Sequence, residues 1–157
     1  MLDGTVYFIV SNHSPFLVSE NEKGNDDIFV APTVFPVIYL RLPLMLTEAK
    51  KGRLSLEKVV ELCCVNPAKC FNIFPQKGTI SAGADGDLVV VDMKREVICH
   101  ARDSYSQAKD ISKVYEGWKL GCSIDYTVVR GRVVMENGDV DESAAGWGKF
   151  IKPVLKA

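Results

Sequence analysis

The chain has 157 residues, 47% of them hydrophobic and 25% charged, with a formal net charge of −1. That length supports one ordinary core, and the balanced charge excludes a nucleic-acid footprint or a polybasic membrane patch. No apolar run approaches the roughly 18 to 20 residues of a membrane-spanning helix.

The start, Met1-Leu2-Asp3-Gly4, lacks the basic region of a secretory signal. The five cysteines, Cys63, Cys64, Cys70, Cys99 and Cys122, form no Cys-x-x-Cys pair. An odd set of this kind points to reduced thiols in a cytoplasmic protein. The two histidines, His13 and His100, are too few for a self-contained zinc site of three or four spaced ligands. No metal ligand is therefore assigned within this chain.

The first element is Val6 to Val10, an unbroken apolar run that suits a strand buried on both faces in a parallel sheet. It stops at Ser11-Asn12-His13-Ser14-Pro15. Polar side chains at the C-terminal end of a parallel strand are where active sites lie in α/β folds. A strand buried on both faces needs neighbours, and nothing before residue 4 supplies them, so the chain reads as the end of something larger.

Residues 17 to 33 read as a polar loop around Gly24, either a solvated surface or a flap over a site. A helix is expected over residues 35 to 51, with Pro36 in its first turn, a kink or break at Pro43, and Gly52 as its end. A second helix starts at Ser55 as N-cap. Asn66-Pro67 stops it and opens a third, with Asn66 as N-cap and Pro67 at the first helical position.

After Pro75 the pattern becomes β. Lys77 to Ile80 reads as extended, Ala82 to Gly86 as a turn, and Asp87 to Asp92 and Arg95 to Cys99 as strands. Ala101 to Gly121 is irregular, with Tyr105, Tyr115 and Trp118 as anchors of a packed loop. Asp125 to Arg130 and Arg132 to Glu136 flank Gly131, and Asn137-Gly138 is a tight turn. The tail from Gly146 to Pro153 carries aromatics that dock on a surface, its own or a partner's. Three stretches follow: a first unit over 1–75, a β module over 76–145, and a tail over 146–157.

Several motifs together carry a resemblance. They are Gly4-Thr-Val-Tyr-Phe-Ile-Val-Ser-Asn-His-Ser-Pro-Phe16, Arg41-Leu-Pro-Leu-Met-Leu-Thr-Glu48, Lys51-Gly-Arg-Leu-Ser-Leu-Glu57 and Asn66-Pro-Ala-Lys69. Lys77 to Asp92, Tyr115-Glu-Gly-Trp118 and Thr127-Val-Val-Arg-Gly-Arg-Val-Val134 complete them. In this order they resemble the C-terminal third of the cyclic-amide hydrolases of the amidohydrolase superfamily: dihydropyrimidinase, hydantoinase, allantoinase and dihydroorotase. Tyr115 to Trp118, the tail and Pro15-Phe16 lean toward the first two.

The resemblance implies a fold of α/β plus β. It would comprise the last strand and helices of a (β/α)8 metal-hydrolase barrel, followed by the C-terminal part of a small β-sandwich. It implies a zinc-dependent, binuclear hydrolase in the intact family, with the other metal ligands upstream of this sequence. The family places a metal-binding general-base aspartate at the end of strand eight, where this chain has Asn12. An amide has no protonation equilibrium near neutral pH and is a weak neutral ligand, so it fills neither role. The family's glycine-rich substrate loop corresponds to Thr33 and Val34, whose side chains obstruct a close backbone approach. The glutamate that follows in the family is Tyr39 here.

Three readings follow. In the first, the chain is part of a cyclic-amide hydrolase, inactive alone and completed by a missing N-terminal barrel polypeptide. In the second, it is a non-catalytic scaffold that self-associates, in part through its tail. In the third, it is a truncated remnant. Large apolar faces built to pack on seven other strands would lead a lone chain to dimerise, rearrange or aggregate.

Overall fold

The computed structural model describes residues 3–111 and 113–154. The stretch expected to be a loop contains a short helix α1 (Val18–Asn21) and two 3-10 turns, Glu22–Asn25 and Ile28–Val30. The Asp27 carboxylate caps the second turn by accepting from the Phe29 N–H at 2.9 Å.

Helix α2 (Arg41–Lys50) follows a 3-10 turn at Ile38–Leu40. Pro36 lies before the helix rather than in its first turn. Pro43 is the third residue of α2 and does not break it. First-turn N–H groups have no intrahelical acceptor, so the missing donor costs little there. Gly52 closes the element at φ +74°, the left-handed conformation that ends helices.

Ser55 caps α3 (Leu56–Val60) by accepting from the Lys58 N–H at 3.1 Å. The helix does not stop at Asn66. It passes through a π-helical turn, Glu61–Val65, into α4 (Asn66–Cys70), and Val65 before Asn66 is itself helical. The expected cap at Asn66 is therefore absent. Pro67 brings no N–H to the ladder, and the widened turn just before it absorbs that loss.

The β half holds β1 (Leu88–Asp92), β2 (Val97–Ile98), β3 (Lys119–Leu120), β4 (Ser123–Val129), β5 (Arg132–Glu136) and β6 (Asp139–Val140). An antiparallel sheet runs in the order β1-β4-β5-β6, and β2 pairs with β3 in a separate ribbon. The strand expected over Arg95 to Cys99 shrinks to Val97–Ile98, and the Arg95 backbone N–H is turned to the Asp92 carboxylate at 3.3 Å. The turns match their sequences. Arg130-Gly131 and Asn137-Gly138 all have positive φ, from 47° to 96°, as two-residue hairpin turns require.

One core cluster joins the halves: Leu46, Val59, Leu62 and Cys63 from the helices with Cys122 from the β half, and Ile9 packed against them. Thr47 is the polar joint. Its buried hydroxyl donates to the Pro43 carbonyl at 2.7 Å and accepts from the Gly121 N–H at 2.9 Å. A second cluster sets Leu40 against Cys99 and Leu120, with Tyr39 and Tyr115 on its rim. Tyr115 also meets Trp118 edge to face, ring centres 5.0 Å apart, as expected for loop anchors.

The tail docks on the chain's own surface. The Trp147 indole N–H donates to the Val129 carbonyl at 2.7 Å, and the guanidinium of Arg130 stacks 4.6 Å from its ring. Further along, the Val154 N–H reaches the Asn72 carbonyl at 2.9 Å, while Phe150 stays exposed.

Candidate functional site

Residues 6–16 form neither helix nor strand, and Tyr7 and Val10 are half exposed. The expected strand buried on both faces is thus not realised. A strand is made by a ladder to a neighbour, and no described residue pairs with this run as one. It is held instead by the helices. The Ile9 N–H donates to the Leu62 carbonyl at 2.9 Å. Arg41 donates to the Ile9 carbonyl at 3.0 Å, and the Asn66 amide donates to the Tyr7 carbonyl at 2.6 Å. Asn66 is buried and also donates to the Glu61 carboxylate at 3.3 Å. Neither Arg41 nor Asn66 was marked by the sequence as a holder of this segment. The only signals were an arginine among apolar residues at a helix start and an asparagine inside a helical run.

Beyond Val10 the chain turns at the residues expected to carry chemistry. Asn12 is exposed, and it makes no hydrogen bond among the described residues. His13 is half buried, and its Nδ1 accepts from the Ile38 N–H at 3.3 Å. That bond ties the 11–16 turn to the start of the α2 region. A cleft of about 570 Å³ opens beside it, lined by His13, Tyr39, Leu42, Val89, Tyr105 and Met135 among others. Its walls are mainly apolar, as in small-molecule sites. Tyr105 closes the far side, donating to the Gly138 carbonyl at 3.0 Å and accepting from the Val140 N–H at 3.2 Å.

Of the sequence candidates, the structure brings His13 and Tyr39 to the same cleft. Asn12, Thr33 and Val34 lie outside its lining. Thr33 is exposed and Val34 half buried in the irregular stretch before the Ile38–Leu40 turn. Tyr39 is drawn into packing. Burial, and after it the negative charge of Glu116, pushes the Cys99 thiol up from its ordinary range, and the neighbouring Tyr39 side chain partly opposes that rise.

The donor chemistry near Asn12 does not fit a metal. No group of three or more His, Cys, Asp or Glu side chains converges among the described residues. Asn12 offers a neutral amide, and one ring nitrogen of His13 is already engaged by a backbone N–H. Elsewhere on the surface, Glu116 accepts from the Ala101 N–H and from His100, each at 2.7 Å, and these bonds hold its carboxyl below the usual range. This pair pins the 100–116 loop and lies outside the cleft lining.

Comparison with known proteins gives this arrangement its family. The amidohydrolase family profile matches residues 30–134. The chain is 36% identical over 152 residues to an L-hydantoinase of Paenarthrobacter aurescens, covering 95% of this chain and 32% of that protein. It is 34% identical over 132 residues to a dihydroorotase of Pyrococcus furiosus, covering 84% of this chain and 29% of that one. A solved D-hydantoinase structure superposes with a TM-score of 0.82 at 32% identity, over 88% of this chain and 30% of that one. The chain thus spans about a third of the length of the curated relatives it matches. With the family profile covering residues 30–134 and a hydantoinase backbone superposing on most of the rest, this chain belongs to the amidohydrolase family.

Proposed function

We propose that this chain is the strand-eight and C-terminal portion of a cyclic-amide hydrolase of hydantoinase type, and that it does not hydrolyse a cyclic amide by itself. In this reading residues 1–75 supply the last strand and helices of a (β/α)8 barrel, and residues 76–145 the C-terminal share of a small β-sandwich. Relatives named as hydantoinases and a dihydroorotase support the substrate class. The observation that carries inactivity is the exposed Asn12 amide just beyond the Val6–Val10 segment, with no cluster of metal-ligating side chains around it among the described residues.

Zinc serves the intact family as the resemblance implies, but the residues present here do not fit it. What these residues do is structural. Arg41, Asn66 and the Leu62 carbonyl hold the Tyr7–Ile9 backbone, and His13 fixes the turn against Ile38. Such a frame sets where a side chain at position 12 projects, which is the part of catalysis a scaffold supplies.

The test is to follow ring opening of hydantoin and dihydrouracil in the presence of zinc. Three samples are compared: the chain alone, the chain assembled with the N-terminal two thirds of a hydantoinase, and the same assembly carrying Asn12→Asp. The expectation is no turnover from the chain alone or from the Asn12 assembly, and turnover with Asn12→Asp. Hydrolysis by the chain alone, or an Asn12 assembly as fast as the aspartate variant, overturns the inactivity. A well-folded Asn12→Asp assembly without turnover overturns the hydrolase reading.

A further inference from the structure

The sequence holds one Asn-Gly pair, Asn137-Gly138, and both residues are exposed at the tip of the β5–β6 hairpin. Asn137 is held at two points. Its N–H donates to the Asp125 carbonyl at 2.7 Å, and its side-chain Oδ1 accepts from the Arg95 guanidinium at 3.2 Å. An arginine can only donate, so the contact selects the oxygen of the amide and not its NH2 group. Arg95 is itself fixed. Its Nε donates to the Ser123 hydroxyl at 2.7 Å, and its guanidinium also bonds the Asp125 carboxylate.

These parts bear on one reaction. A cation donating to an amide oxygen makes the carbon more electrophilic, and it stabilises the negative charge that develops on that oxygen under attack. The nucleophile next in the chain is the Gly138 backbone nitrogen. Its N–H donates to the Met135 thioether sulfur at 3.1 Å, a weak acceptor that does little to hold the proton. Gly138 has no side chain to shield this nitrogen, and nothing lies within 4 Å of where its Cβ would stand.

We infer that Asn137 is a site of self-modification, losing its amide through a cyclic imide in a step promoted by Arg95. The Gly138 nitrogen gives its proton to water and bonds to the Asn137 Cγ. The Cγ–Nδ2 bond breaks, and Nδ2 leaves as ammonia with a proton from water. A second water opens the ring at either carbonyl, giving aspartate or isoaspartate, and nothing is oxidised or reduced. The isoaspartate main chain runs through the side-chain carbons and is one atom longer. Tyr105 senses that change. Its hydroxyl donates to the Gly138 carbonyl at 3.0 Å and accepts from the Val140 N–H at 3.2 Å, and a longer turn moves these two groups apart. The isoaspartate form therefore releases Tyr105 from the hairpin. This inference uses only residues of the β half, so it does not rest on the hydrolase reading.

The test keeps the full 157-residue chain in mildly alkaline buffer and follows residue 137 by peptide mass mapping, with enzymatic methylation to count isoaspartate. The same chain in urea is the reference, because the Arg95 contact exists only in the fold. Conversion is expected at residue 137, faster in the folded chain than in urea, and about tenfold slower in Arg95→Met. That factor is below the roughly 10²–10³ lost with one donor of an enclosed enzyme site, since this hairpin is exposed. Hydrogen exchange at the Val140 N–H is expected to quicken as isoaspartate accumulates. No conversion at Asn137, slower conversion in the fold than in urea, or an unchanged rate in a folded Arg95→Met overturns the inference. The comparison with urea keeps the test decisive if Arg95→Met fails to fold. Unchanged exchange at Val140 in an isoaspartate-rich sample overturns the release of Tyr105.

Discussion

Asn66 donates its side-chain amide to the main-chain carbonyl of Tyr7 at 2.6 Å, across 59 residues of sequence. Its other hydrogen bond runs to Glu61, one turn back along the same continuous helix. A helical side chain here does what a neighbouring strand does in a sheet: it satisfies a backbone acceptor of an extended segment. That segment leads directly to Asn12 and His13, so the position of the candidate site depends on a residue in the middle of a helix.

Asn66→Ala is therefore expected to destabilise the chain by about 1–3 kcal/mol, the cost of stranding a buried acceptor. Asn66→Asp is expected to do no better, since a carboxylate cannot donate to the Tyr7 carbonyl. Urea unfolding of the three proteins checks this. Equal midpoints for Asn66→Ala and the native chain would remove the tether from the account.

Thr47 gives a second buried test. Its hydroxyl serves Pro43 and Gly121 at once, and it sits where α2 meets the β half. Thr47→Val keeps the shape but leaves the Gly121 N–H without that acceptor, for an expected loss of about 1–3 kcal/mol. Thr47→Ser keeps both bonds and is expected to retain most of the stability, as thermal unfolding would show.

Gly78 has φ +84°, and a Cβ there would lie 2.6 Å from the Ala68 Cβ and 2.8 Å from the Cys64 carbonyl oxygen. Both obstacles are fixed to the π-turn and α4, so neither can swing away. Gly78→Ala is expected to cost at least the roughly 1–3 kcal/mol of an overpacked or strained site. The decrease in the denaturation midpoint should exceed that of Gly83→Ala, where φ is also positive but nothing lies within 4 Å.

Lys77 links Asp85 and Asp87, lying 2.9 Å from the former. The hydrogen bond from Lys77 is the main cause holding the Asp85 carboxyl below its ordinary 3.8. Burial pushes the Lys77 ammonium down, but its bonds to Asp87 and Asp85 outweigh that and leave it above its ordinary 10.5. The stability from a lowered carboxyl is present above pH 3.8 and is lost as pH falls through its folded value. The stability from a raised ammonium is present below pH 10.5 and is lost as pH rises through its folded value. Unfolding midpoints measured across pH should decline at both limits, and Lys77→Met should flatten both limbs.

Thiol accessibility separates buried from surface cysteines. Cys63, Cys99 and Cys122 are buried, and burial is the main cause that raises the thiols of all three. Burial raises the Cys64 thiol as well, so access to reagent decides: the buried three are expected to label only after unfolding, while exposed Cys64 and Cys70 label in the native chain. Mass spectrometry after brief alkylation counts them.

Much of the architecture was legible in the residues because its causes are local. Ser55 caps a helix because its hydroxyl lies three residues from an orphan N–H, and Gly52 ends one because it tolerates positive φ. Asn137-Gly138 makes a tight turn for the same backbone reason, and the valine-rich runs at 88–92 and 123–129 form strands. The family was legible too, since its motifs recur in order along most of the chain. Other features were decided only by the tertiary structure. Val6 to Val10 carries every mark of a buried strand, yet a ladder needs a neighbour, and the helices took that edge instead. Asn66 looks like a cap before proline, but the helix continues through a π-turn and turns its amide toward Tyr7. Pro43 looks like a break, but its place in the first turn makes it harmless. Asn12 and Tyr39 were singled out by the family motif positions they occupy. Folding leaves Asn12 in solvent and packs Tyr39 beside Cys99, because long-range burial and backbone satisfaction, not local propensity, set where those side chains go.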